Sequence, residues 1–136
     1  MQSKQQTIKY SVSCTGVGLH TGVQSTVTFH PADENSGIKF IRNDLGDKQV
    51  TPDIDNVVDL TRGTTIEENG IRVHTTEHVL SACAGMGINN LIIELNSKEP
   101  PVMDGSSKDF VAALNEGKII QQESDVNFLE ITNPVV

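Results

Sequence analysis

Residues 72–87 read RVHTTEHVLSACAGMG, and within them His74, Glu77 and His78 stand at H-x-x-E-H spacing. On one helix, two imidazoles four residues apart face the same way and can hold a zinc ion, with the glutamate activating water. That chemistry needs both histidines inside the same helix, and the preceding residues argue against it. Asn69-Gly70 is the preferred dipeptide of a two-residue type I′ hairpin turn. Such a turn sets Glu67 opposite Arg72 and Ile66 opposite Val73, an ion pair on one face and an apolar pair on the other. Ile71 and Val73 then keep strand period, Thr75 is read as the helix cap, and His74 falls outside the helix. Glu77 and His78 remain. They fall in the first helical turn, where free N–H groups suit a carboxylate, and could serve as a base and a single metal ligand. Spacing alone favours the plainer reading, an exposed Glu and a hydrogen-bonded His.

The elements around this pair follow from periodicity. Ile8, Tyr10 and Val12 alternate over Thr7–Val12 and predict a strand. The glycines of CTGVGLHTG, residues 14–22, predict a turn that presents His20. Val23, Ser25, Val27 and Phe29 form a second alternating strand ended by Pro31, and residues 37–42 a third. Val79, Leu80, Cys83 and Met86 recur at helical spacing, with Gly85 or Gly87 as the stop. Leu91, Ile93 and Leu95 mark a central strand. After the loop EPPVMDG, Ser106 with Asp109 three residues on reads as a capping box, and Phe110, Val111 and Leu114 as the buried stripe of a second helix ended by Gly117. The tail from Asp125 reads as one more strand, the opening of a further unit. Strands followed by helix, strand and helix predict an α+β fold: two layers, a mixed or antiparallel sheet with both helices on one face, and a β-hairpin insert.

The bulk properties exclude several classes. The net charge is −8 over 136 residues and no basic cluster occurs, so neither nucleic acid nor an anionic membrane surface is an expected partner. The two cysteines, Cys14 and Cys83, form no C-x-x-C pair. With no signal peptide and no apolar run long enough to cross a membrane, free thiols and a cytoplasmic location are expected.

Three motifs in series carry more information than any of these features. CTGVGLHTG, TTEHVLSACAGMGINNLIIELN and PPVMDGSSKDF resemble, in this order, the T-G-V-G-L-H-x-G, T-x-E-H-L and M-D-G-S motifs of the UDP-3-O-acyl-N-acetylglucosamine deacetylase family of lipid A biosynthesis. The resemblance implies a zinc-dependent hydrolase of two similar α+β domains with the active site between them. Residues 7–124 would be the amino-terminal domain, and residues 125–136 the linker or first strand of the second. By the same resemblance His78 is one zinc ligand and Glu77 the base. A His and an Asp one turn apart, together with a catalytic His and a Lys, belong to the second domain, and no H-x-x-x-D occurs in this sequence.

Leu19, His20, Arg62 and Gly63 are the expected substrate-side residues, and Asp104 a structural residue near the site. The family's substrate is a UDP-linked acylated glucosamine, whose N-acetyl group is removed in the committed step of lipopolysaccharide synthesis. Some members are fused to a hydroxyacyl-carrier-protein dehydratase. A non-catalytic binding or scaffold domain of the same fold is the rival reading. The strip His78, Ser81, Ala82 and Gly85 is small and uncharged, which predicts a partner surface. The isolated domain is expected to be inactive and to self-associate through that strip.

Overall fold

The computed structural model of the chain describes residues 3–127 and 132–134. Among them lie ten strands and two helices. The strands are β1 (Lys4–Ile8), β2 (Val12–Val17), β3 (Gln24–Pro31), β4 (Ile38–Arg42), β5 (Lys48–Val50), β6 (Val57–Asp59), β7 (Thr65–Glu68) and β8 (Ile71–Val73), followed after the first helix by β9 (Leu91–Leu95) and after the second by β10 (Ile119–Asp125). The helices are α1 (Glu77–Gly85) and α2 (Lys108–Glu116).

The main sheet has the order β2-β3-β9-β4-β5, with β4 parallel to β9 and every other pair antiparallel. Its register explains its two faces. Phe29 pairs with Ile93 and Ile93 with Phe40, so these three fully buried side chains share one face. Val79 and Cys83 of α1 and Phe110 and Leu114 of α2 complete the same core. The rings of Phe29 and Phe110 meet edge to face at 6.3 Å. The opposite face is polar: Ser13 pairs with Thr28 and Thr15 with Thr26 through hydroxyls 2.8 Å apart, and His30 lies between Ser11 and Glu94. The expected α+β layering, with a mixed sheet and both helices on one side, is therefore the observed one.

The hairpin is also as expected. Ile66 faces Val73, Glu67 faces Arg72 with a 2.6 Å ion pair, and Asn69 and Gly70 take φ of 53° and 81°. β6 adds a third strand to this small sheet.

Several expected boundaries move. The strand predicted over Thr7–Val12 breaks after Ile8, because Lys9 and Tyr10 turn their N–H groups onto the carbonyls of Gly117 and Lys118. A Cβ on Gly117 would lie 2.9 Å from the Tyr10 carbonyl, so only glycine admits this crossing. Residues 14–17 of the predicted turn are strand, paired with β3, and the turn proper spans Gly18–Gly22. Thr76, not Thr75, is the N-cap of α1, and Thr75 sits at a φ of 54°. Ala82 is buried, so the exposed strip of α1 is Ser81, Ala84 and Gly85. α2 is capped at Ser107; the Ser106 hydroxyl accepts the Lys108 N–H and donates to Asp104. Asp125 ends β10, which pairs with β1. Half of the predicted tail strand, residues 128–131 and 135–136, lies outside the described residues. No helix among the described residues is long and apolar enough to cross a membrane.

A guanidinium is buried beside this core. Arg42 binds both oxygens of Asp44, at 2.9 and 2.6 Å, and donates to the Arg72 carbonyl at 2.8 Å, tying the main sheet to the hairpin. That hydrogen bonding holds the Asp44 carboxyl below the usual carboxylate range. Asp44→Ala is expected to destabilise the chain by about 1–3 kcal/mol, because the Arg42 guanidinium loses its partner. A folded-state pKa below the unfolded one gives a contribution that is full above about pH 4 and lost as the pH falls through the depressed value. Urea denaturation of both proteins should show a gap that is constant at neutral pH and closes only in strong acid.

Candidate active site

Four segments of the chain converge on a cavity of about 510 Å³. Its walls include His20 and Thr21 from the glycine-rich turn, Arg62 and Gly63 from the loop before β7, and His74, Thr75, Lys98 and Glu99. The turn forms because Gly18 donates to the Val23 carbonyl and Gly22, at a φ of 67°, donates to Gly18.

Glu99 holds the segments together. Its side chain is fully buried. Oε1 accepts the N–H groups of His20 at 2.9 Å and Thr21 at 3.4 Å, and Oε2 accepts the Thr75 hydroxyl at 3.0 Å. Its backbone carbonyl accepts the Ser25 hydroxyl at 2.6 Å. A Cβ on Gly18 would stand 2.5 Å from Oε1, so glycine is required for this approach. The His20 ring then reaches across the cavity, where Nε2 donates to the Arg62 carbonyl at 2.8 Å.

Beyond Arg62 the chain meets α1. The Thr64 N–H donates to Oε2 of Glu77 at 3.1 Å, and the Thr64 carbonyl accepts both the N–H and the hydroxyl of Thr76. Gly63, at a φ of 143°, leaves only 3.0 Å between a Cβ and Oε1 of Glu77. Glu77 therefore has one oxygen engaged and, among the described residues, the other without a donor. His78 follows on the same turn and is half-buried. Its backbone carbonyl accepts from Ser81, and no side-chain partner of its ring occurs among the described residues.

Glu77 and His78, a potential base and a potential metal ligand, thus stand side by side on the first turn of α1; Glu77 meets the cavity wall at Gly63 and Thr64, and neither residue lines the cavity itself. Leu19 is 55% exposed on the turn and does not line the cavity. Asp104 accepts the N–H and hydroxyl of Ser106, contacts that hold it below the usual carboxylate range and keep it within its own turn. His74 is half-buried in the wall and shares a hydrogen bond with the Thr65 hydroxyl at 3.0 Å. Burial, then the nearby Lys98, lowers its pKa. The break at Thr75 places His74 outside α1, which removes the two-histidine zinc site that the H-x-x-E-H spacing suggests. Among the described residues no group of three His, Cys, Asp or Glu side chains could hold a metal ion. His78 offers a single imidazole as a possible metal donor.

Sequence reasoning missed Glu99, Lys98 and Thr75. Glu99 lies in a Pro-rich loop with no periodicity, and its partners are 24 to 79 residues away.

Gly18→Ala is expected to displace Glu99 from its donors and to destabilise the chain by about 1–3 kcal/mol in urea titrations. Gly85→Ala, where an added Cβ meets nothing within 4 Å, should cause no loss.

Comparison with known proteins bears on this geometry. The sequence profile described as "LpxC: UDP-3-O-acyl N-acetylglycosamine deacetylase" matches residues 5–136. A bifunctional LpxC/FabZ enzyme of Chlorobaculum tepidum is 48% identical over 96% of the chain, which covers 28% of that protein. The UDP-3-O-acyl-N-acetylglucosamine deacetylase of Neisseria meningitidis serogroup C is 43% identical over 96% of the chain and 44% of its own length. That of a Psychrobacter species is 40% identical over 97% and 45% respectively. The chain spans less than half the length of these relatives. With matches of this extent to both the family profile and individual members, the chain belongs to the LpxC deacetylase family.

Proposed function

We propose that this chain is the amino-terminal half of a zinc-dependent, cytoplasmic amidohydrolase that removes the N-acetyl group from a UDP-linked acylated glucosamine. A single observation carries the reading: Glu77 and His78 adjoin on the first turn of α1, each with a lone pair that no described residue uses. Glu77 Oε1 is free to take a proton from an attacking water, while Oε2 is fixed by Thr64. His78 supplies one metal donor, and the remaining ligands would come from the rest of the polypeptide. Zinc bound there would polarise the amide carbonyl and lower the pKa of water. His20, Arg62 and Gly63 wall the cavity on the substrate side, and Leu19 sits at its approach. The Chlorobaculum relative also supports fusion to a second enzyme as one form of the parent protein.

The residue roles separate in the full-length protein. Glu77→Ala is expected to cut deacetylase turnover by roughly 10²–10⁴-fold with zinc content retained. His78→Ala should lower zinc content itself, measured by metal analysis of the purified variants. Equal metal loss in both would contradict the division of roles. The 136-residue chain alone should show weak zinc binding in calorimetry and no deacetylation; a tight one-to-one site would point to a self-sufficient domain.

The same division bears on association. The exposed strip of α1, Ser81, Ala84 and Gly85, carries no charge, unlike an ordinary solvated helix face. The isolated chain is expected to pair with itself through this strip, and Ser81→Glu should shift it toward monomer in sedimentation. A strict monomer at high concentration would refute the pairing.

A further inference from the structure

The contacts around the cavity close into a ring. Glu99 Oε1 binds the His20 N–H, His20 Nε2 binds the Arg62 carbonyl, and Arg62 leads through Gly63 to Thr64, whose N–H binds Glu77. Glu77 leads back through Thr76 to Thr75, whose hydroxyl binds Glu99 Oε2. Thr75 is the strained link. It is β-branched and holds a φ of 54°, a conformation that such residues rarely adopt. The flanking bonds, His74 N–H to the Lys98 carbonyl at 2.7 Å and Thr76 N–H to the Thr64 carbonyl at 3.1 Å, fix the backbone on either side. Among the described residues, Glu99 alone binds the Thr75 side chain and the His20 turn at once.

We infer that Glu99 is a positioning residue for the reaction: by holding Thr75 at positive φ and the His20 turn in place, it aims the Glu77 carboxylate. This rests on the reading of Glu77 as the base. Strain at functional sites persists only where the surroundings over-determine it, and here the buried carboxylate is what over-determines it. Without Glu99, Thr75 relaxes toward negative φ, the first turn of α1 rotates, and the Thr64 bond to Glu77 weakens. In this role Glu99 acts through Thr75 and the His20 turn.

The test uses the zinc-loaded full-length enzyme. Glu99→Ala is expected to lower kcat by about 10²-fold with KM little changed and zinc content intact, since a misplaced base affects the chemical step. Glu99→Gln, which keeps one acceptor oxygen, should lie between, and carries the comparison if the alanine variant does not fold. Adding Thr75→Gly to Glu99→Ala should restore part of the lost kcat, because glycine holds positive φ without a tether. A purely structural role would give no such rescue. Wild-type kcat in both Glu99 variants, or a loss that follows zinc content or folded fraction, overturns the inference.

Amide hydrogen exchange on the 136-residue chain decides the matter independently of activity. Glu99→Gln should speed exchange at Thr64 and Thr76, on the far side of the ring, as well as at His20 and Thr21. Unchanged protection at Thr64 and Thr76 refutes the ring. If the full-length enzyme has no deacetylase activity, the functional reading fails while these exchange rates still report on Glu99.

Discussion

A β-branched residue held at positive φ costs about 1–3 kcal/mol, and this fold spends part of its stability to keep Thr75 there. The kink lets α1 begin with only three residues between it and the end of β8, turning the chain from the hairpin onto the sheet. With a relaxed Thr75, the hairpin would continue outward and Glu77 would point elsewhere. The buried carboxylate of Glu99 opposes that relaxation. Because the carboxylate is out of water, all of its stabilisation must come from protein donors. The glycine-rich turn supplies two of them, and Gly18 leaves the space for it.

The core explains why the arrangement can bear this load. Phe29, Ile93 and Phe40 cross the three central strands in register, and α1 and α2 close over them through Val79, Cys83, Phe110 and Leu114. Burying each such side chain contributes about 1.5–3 kcal/mol, so several offset one strained backbone with margin. The Cys83 thiol is part of this filling; burial raises its pKa to about 12, which leaves it a packing group and not a nucleophile. The opposite sheet face, with its hydroxyl pairs and the His30–Glu94 contact, needs no cover.

What could be read from the sequence divides by the range of the interaction. The hairpin register was legible to the residue because an Asn-Gly turn and the pairs Ile66–Val73 and Glu67–Arg72 are all local. The helix stripes and the central strand followed from periodicity. The end of β1 was not legible, since Tyr10 keeps strand alternation and the crossing of Gly117 that ends the strand is more than a hundred residues away. Thr75 looked like an ordinary cap for the same reason: its conformation depends on Glu99, and Glu99 on a turn 79 residues earlier. β10 carries little apolar signal, being mostly exposed, and pairs only with a partner at the other end of the chain. Motif order identified the family, but not the polar ring that joins its motifs.

The pairing of β1 with β10 carries a consequence for how the chain is made. Lys4 faces Asp125 and Ile8 faces Ile119, so β1 waits for the much later β10 before its backbone is satisfied. At ribosomal rates of about 5–20 residues per second, that wait is on the order of ten seconds. The main sheet has a milder form of the same problem, because β3 and β4 are joined only when β9 inserts between them. During elongation the early strands therefore present unpaired edges, and β3 and β4 also lack the helices that will cover their apolar face. A nascent chain in that state is open to edge-to-edge association until Leu91–Leu95 and then Ile119–Asp125 emerge from the exit tunnel.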